Sequence, residues 1–160
     1  MRKTIIAIAA MFMLLASFSG AFAGENWEAW LTVRSGNAEN RLAFGRHAEA
    51  TDFQDSRFDI PALLAGDLRA YFYHEDGALW RDIRKAGPET TSWILKISVL
   101  PSTAGQVVIT WDPEELPHGT ELELIDSDGE NQVNMTYTNH YEIWGSRDKR
   151  IIIQNRGQEN

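Results

Sequence analysis

The chain contains no cysteine, so no disulfide can brace it and no thiolate can bind metal or act as a nucleophile. Whatever folds must stand on a hydrophobic core alone. It also lacks an excess of basic residues: 15 Lys and Arg face 23 Asp and Glu, for a formal charge of -8. Phosphate backbones and anionic membrane surfaces are held by clustered cations, and the linear sequence shows no basic run, so neither nucleic acid nor a membrane surface is expected as a partner. Catalytic signatures are missing too. There is no G-x-S-x-G elbow, no glycine-rich phosphate loop and no H-E-x-x-H pair, and His47, His74, His118 and His140 are scattered without metal-ligand spacing. No stretch shows sustained helical periodicity, and there is no internal repeat or low-complexity linker.

What is present begins with an address. Arg2 and Lys3 precede an apolar run over 5–18, and Ala21-Phe22-Ala23 follows with the small-x-small pattern of a cleavage site. The reading is a signal peptide over 1–23 and a single domain over 24–160, exported to the periplasm or the extracellular space, with no membrane insertion after cleavage. Losing Arg2 and Lys3 takes the charge from -8 to -10. A domain of this size buries about two-thirds of its unfolded surface, so it needs no staple.

The mature part alternates with a period of two in many short runs. Ala29, Leu31 and Val33 share one face of 25–34 with Trp27, and Leu42 and Phe44 follow across the turn Ser35-Gly36-Asn37, predicting a hairpin. Leu68, Ala70 and Phe72 alternate with Arg69, Tyr71 and Tyr73; His74-Glu75-Asp76-Gly77 turns the chain into a strand over 79–84. The most regular stretch is 91–117. Trp93, Leu95, Ile97 and Val99 form one face, a Pro-Ser-Thr-Ala-Gly break follows, and Val107, Ile109 and Trp111 resume it, which predicts a second hairpin with both tryptophans in the core. Leu122 and Leu124, then Val133 and Met135, then Tyr141 and Ile143, then 150–154 mark the remaining strands. Many short strands separated by turns predict an all-β domain, an antiparallel β-sandwich with a closed β-barrel as the alternative.

The succession LAFG, ATD, DIP, LRAYF, RDIR and VITWDPEELP over 27–153 resembles immunoglobulin-like β-sandwich modules of secreted and cell-surface bacterial proteins. The resemblance implies a scaffold or binding role at the cell exterior, with no catalytic activity.

Three groups of residues carry the functional expectations. The acidic segment 46–66 has no periodicity and is long for a loop, which marks it for function or for internal bracing. Its Asp52, Asp55 and Asp59 can meet calcium's need for carboxylate oxygens, but Arg57, Arg81 and Arg84 offer charge partners, and pairing is favoured over calcium. Asp126-Ser127-Asp128-Gly129 has the look of a calcium loop without the later ligands, and reads better as a hairpin turn. Trp30, Tyr71, Tyr73 and Trp80 fall on the outward phase of their strands and are the candidate partner-binding residues. The expectation is an exported, non-enzymatic interaction or assembly module that binds a protein partner and needs no cofactor. A carbohydrate-binding module using surface aromatics is the alternative, and a small secreted hydrolase the third reading.

Overall fold

The computed structural model describes residues 26–100, 105–127, 129, 131–144 and 148–156. The expected signal peptide and cleavage site lie outside these residues, as does Asp128. Among the described residues there is no α-helix. Eleven strands, β1 (Trp27–Ser35), β2 (Ala38–His47), β3 (Ile60–Pro61), β4 (Leu68–His74), β5 (Gly77–Lys85), β6 (Thr91–Val99), β7 (Val107–Trp111), β8 (Leu122–Asp126), β9 (Gln132–Asn134), β10 (His140–Ile143) and β11 (Asp148–Asn155), belong to one hydrogen-bonded sheet. Its order is β10-β7-β1-β2-β5-β4-β6-β11-β8-β9, with β3 paired to β5.

The sheet curls until its ends approach each other, giving a nearly closed, barrel-like wall. The Tyr141 hydroxyl on β10 donates to an Asp126 carboxylate oxygen at the end of β8 (3.4 Å), and the Trp111 ring N–H donates to the Met135 carbonyl beside β9 (2.8 Å). Burial, and then the Asp126 charge, raise the Tyr141 hydroxyl above its ordinary range, so it remains a donor at neutral pH. A turn of 3-10 helix at Pro113–Glu115, capped by the Asp112 side chain, follows β7. Glu115 there accepts the Trp30 N–H (3.0 Å), which lies beyond the end of the β1–β7 ladder.

Alternation places the inner residues as the sequence predicts. Ala29, Leu31, Val33, Leu42, Phe44, Leu68, Ala70, Phe72, Leu122 and Leu124 are all buried in one core. Trp93 lies at its centre, edge-on to Trp27 and Phe44 at centroid distances of 5.7 and 5.2 Å, and its ring N–H donates to the Asp82 carbonyl (3.1 Å). The β1–β2 and β4–β5 hairpins form, and β8 and β9 pair across the turn after Asp126 as a hairpin.

Two pairings differ from the sequence reading. The strands of 91–117 do not form a hairpin with each other: β6 lies between β4 and β11, while β7 lies between β1 and β10. Trp93 and Trp111 are both buried, as alternation predicts, but the strand partners are long-range. The sheet is also not wholly antiparallel, because β2 and β5 run parallel over Ala43–His47 and Arg81–Lys85. The segment between them supplies the crossover that a parallel pair requires.

Candidate functional site

The acidic loop is built around backbone amides. Asp55 accepts from the Thr51 N–H (3.2 Å) and the Phe58 N–H (3.2 Å), while Asp59 accepts from the Asp55 N–H (2.7 Å) and, across to β5, the Ile83 N–H (3.0 Å). Phe58, Ala50 and Ile83 close a small second core beneath it, and the His47 ring packs on Phe58 with centroids 4.7 Å apart. Burial raises the Asp59 carboxyl above its ordinary range, opposed by its two N–H donors and reinforced by Asp82 and Asp55.

The expected pairing of this loop with arginines is therefore only partly met. Arg57 pairs with Glu49 (2.6 Å), Arg81 with Glu28, and Arg84 with Asp82 (3.0 Å), but Asp55 and Asp59 bind main chain. Among the described residues, no three His, Asp or Glu side chains converge as a metal site. In a stretch of backbone with few ladder partners, the Asp55 and Asp59 carboxylates supply the acceptors that its N–H groups need.

A bulge in β5 then decides what faces outward. Ile60 and Pro61 are consecutive, yet they pair with Arg81 and Leu79, so Trp80 is the extra residue. The phase of the strand changes across it. Leu79 faces the main core, whereas Asp82 is buried (2% exposed) and Ile83 joins the second core under the loop.

The four aromatic candidates are all at least partly exposed, but they do not form one row. Trp30 and Tyr73 each have a cation on one ring face, Arg41 at 4.4 Å and Lys96 at 3.6 Å. Trp30 borders a shallow groove of about 470 Å³ with Glu39, Arg41, Thr110, Asp112 and Asn139. Tyr71 and Tyr73 stand on β4, two strands beyond β2, with Lys96 the register partner of Tyr71. Among the described residues, no ring pair joins Trp30, Tyr71, Tyr73 or Trp80.

Tyr73 and Trp80 instead have other company. Pro61 pairs with Leu79, the Ala62 N–H donates to the Ala78 carbonyl (2.8 Å), and Tyr73 is the register partner of Ala78, so the chain from Ile60 to Leu64 passes the β4–β5 hairpin. The His74 ring contacts the Asp52 carbonyl (3.1 Å), which brings Phe53 to the same hairpin. Phe53 (74% exposed), Leu63 (72% exposed), Ile60 and Leu64 are large apolar side chains left in solvent here, together with Tyr73 and Trp80. Ile60, Leu63 and Leu64 are not among the residues that strand alternation marks as candidates. Their signal was compositional: bulky apolar residues in a loop with no period to give them an inner face.

Comparison of the chain with family models, with curated proteins and with solved structures finds no match.

Proposed function

We propose that this chain is an exported, non-enzymatic interaction module, and that the rim formed by Phe53, Ile60, Leu63, Leu64, Tyr73 and Trp80 docks a protein partner with an apolar surface. The observation that carries the reading is the exposure of these side chains around one hairpin. Leaving so much apolar surface in water is costly unless something covers it, and such patches mark protein interfaces on soluble domains. The second core and the Asp55 and Asp59 hydrogen bonds support the reading, because a braced loop loses little freedom on docking.

Chemical cross-linking in the native envelope fraction, with the purified protein and with Leu63→Asp and Phe53→Asp variants, tests it. A species captured by the parent and lost with both variants is expected. Equal capture by all three would remove this rim from the function.

A second reading is favoured by one observation, the groove beside Trp30. An exposed indole flanked by carboxylates and an amide is suited to a sugar ring. Retention on insoluble polysaccharide that disappears in Trp30→Ala and persists in Leu63→Asp would support this carbohydrate-binding alternative over the protein-docking one.

For the finer architecture we favour the barrel over two stacked sheets. The single hydrogen-bonded path and the Tyr141–Asp126 contact between its ends support this choice. The immunoglobulin-like likeness then rests on sequence motifs alone.

A further inference from the structure

Where β2 and β5 run parallel, Arg46 and Arg84 are register partners and project from the same face. Like charges directly opposite in a sheet repel, so each guanidinium needs an answer. Arg84 has one: its Nε and Nη2 meet the two carboxylate oxygens of buried Asp82 at 3.1 and 3.0 Å. Arg46 does not. It is 6% exposed, its Nε donates to the Lys85 carbonyl (3.1 Å) and its Nη2 to the Glu89 carbonyl (3.3 Å), and no described carboxylate lies within ion-pair distance of it.

Burial lowers the Arg46 guanidinium from its ordinary range, with Asp52 and then Glu89 opposing the effect from a distance. A buried cation satisfied only by neutral carbonyls is a group in want of a counter-ion. The space beside it is a cavity of about 310 Å³, lined by Arg46, Arg84, Lys85, Asp52, Glu89 and the intervening backbone up to Ser92.

We propose that this cavity binds a small oxyanion, a carboxylate or phosphate group, seated on Arg46 with Lys85 at its rim. The planar guanidinium matches either group in shape. Asp52 and Glu89 line the same cavity, and their charges weaken it for any anion, most of all for one that carries several charges. The site is independent of the apolar rim around Trp80 and would stand if the docking reading failed.

Gly87 provides a way to close the cavity without removing a charge. Its backbone is not left-handed, and a Cβ there would meet only the Arg46 Nη2, at 3.8 Å. Calorimetric titration of the purified protein with inorganic phosphate, and separately with sodium acetate, at ionic strength fixed by sodium chloride, tests the proposal. Saturable binding of at least one probe is expected, weakened tenfold or more in Arg46→Gln and abolished in Gly87→Phe with the unfolding midpoint retained. Phosphate alone, acetate alone, or both binding in this pattern would each support the site and identify the head group it prefers. If neither probe binds, or if binding is unchanged in Gly87→Phe, the proposal is overturned. Gly87→Phe decides the matter alone should Arg46→Gln fail to fold.

Discussion

Gly45 on β2 lies against the backbone of Trp27 on β1 so closely that a Cβ at position 45 would overlap the Trp27 carbonyl oxygen and come within 2.9 Å of the Glu28 Cα. Backbone cannot swing aside as a flexible side chain can, so this position excludes every residue but glycine. Gly45→Ala should cost at least ~1–3 kcal/mol, the range for forced overpacking. Gly87→Ala is the control, expected to be neutral or slightly stabilising, because its added methyl makes only ordinary contact. Urea unfolding of both variants checks the contrast, and equal midpoints would refute it.

Trp93 is fully buried and in edge contact with both Trp27 and Phe44. Trp93→Ala is expected to destabilise by about 3–5 kcal/mol. Trp93→Phe keeps an aromatic ring but leaves the Asp82 carbonyl without its donor, so a smaller loss is expected. A melting curve for Trp93→Ala that overlays the parent's would displace this residue from the centre of the fold.

Asp59 sets a pH dependence of definite sign. Its folded carboxyl is raised, chiefly by burial, so between the ordinary aspartate pKa of 3.8 and the higher folded value the native state holds more proton than the unfolded chain. Stability contributed by this residue therefore falls as pH rises through that window and is recovered on acidification. Measured against Asp59→Asn, the parent should gain relative stability as pH drops from neutral towards 3.8 and then level off. A relative loss over the same range would contradict the shift.

Calcium should leave the melting temperature unmoved. Asp55 and Asp59 already accept backbone N–H groups and Glu49 pairs with Arg57, and a ligand stabilises only if it binds the native state preferentially. Differential scanning fluorimetry with millimolar calcium and then with EDTA checks this. An upward shift of several degrees with calcium, reversed by EDTA, would show a metal site.

Much of the fold is legible in the sequence because alternation is a local property. Leu31, Phe44, Phe72, Leu95 and Ile109 lie inside because a period of two sends every second side chain to one face, whatever strand is next door. The same period turns Trp30 and Tyr73 outward. The candidate site was less legible. Trp80 follows Leu79 outward by ordinary alternation, but the bulge there shifts the phase beyond it, burying Asp82 and turning Ile83 to the second core, and that bulge depends on Ile60 and Pro61, which lie about twenty residues earlier in the chain. Leu63 and Phe53 are brought to this hairpin by long-range contacts of their neighbours Ala62 and Asp52.

By itself, the sequence determined that this is an all-β protein without disulfide bracing, which residues form most of its strands, and which face of most of them is buried. Only the tertiary structure decided which edges pair. It separated β6 from β7, set β2 parallel to β5, and so brought Arg46 beside Arg84, joining cations that show no basic run in the linear chain. The physical reason is that side-chain hydrophobicity alternates along a strand and records its face, whereas the edge is hydrogen-bonded by backbone groups that are the same in nearly every residue.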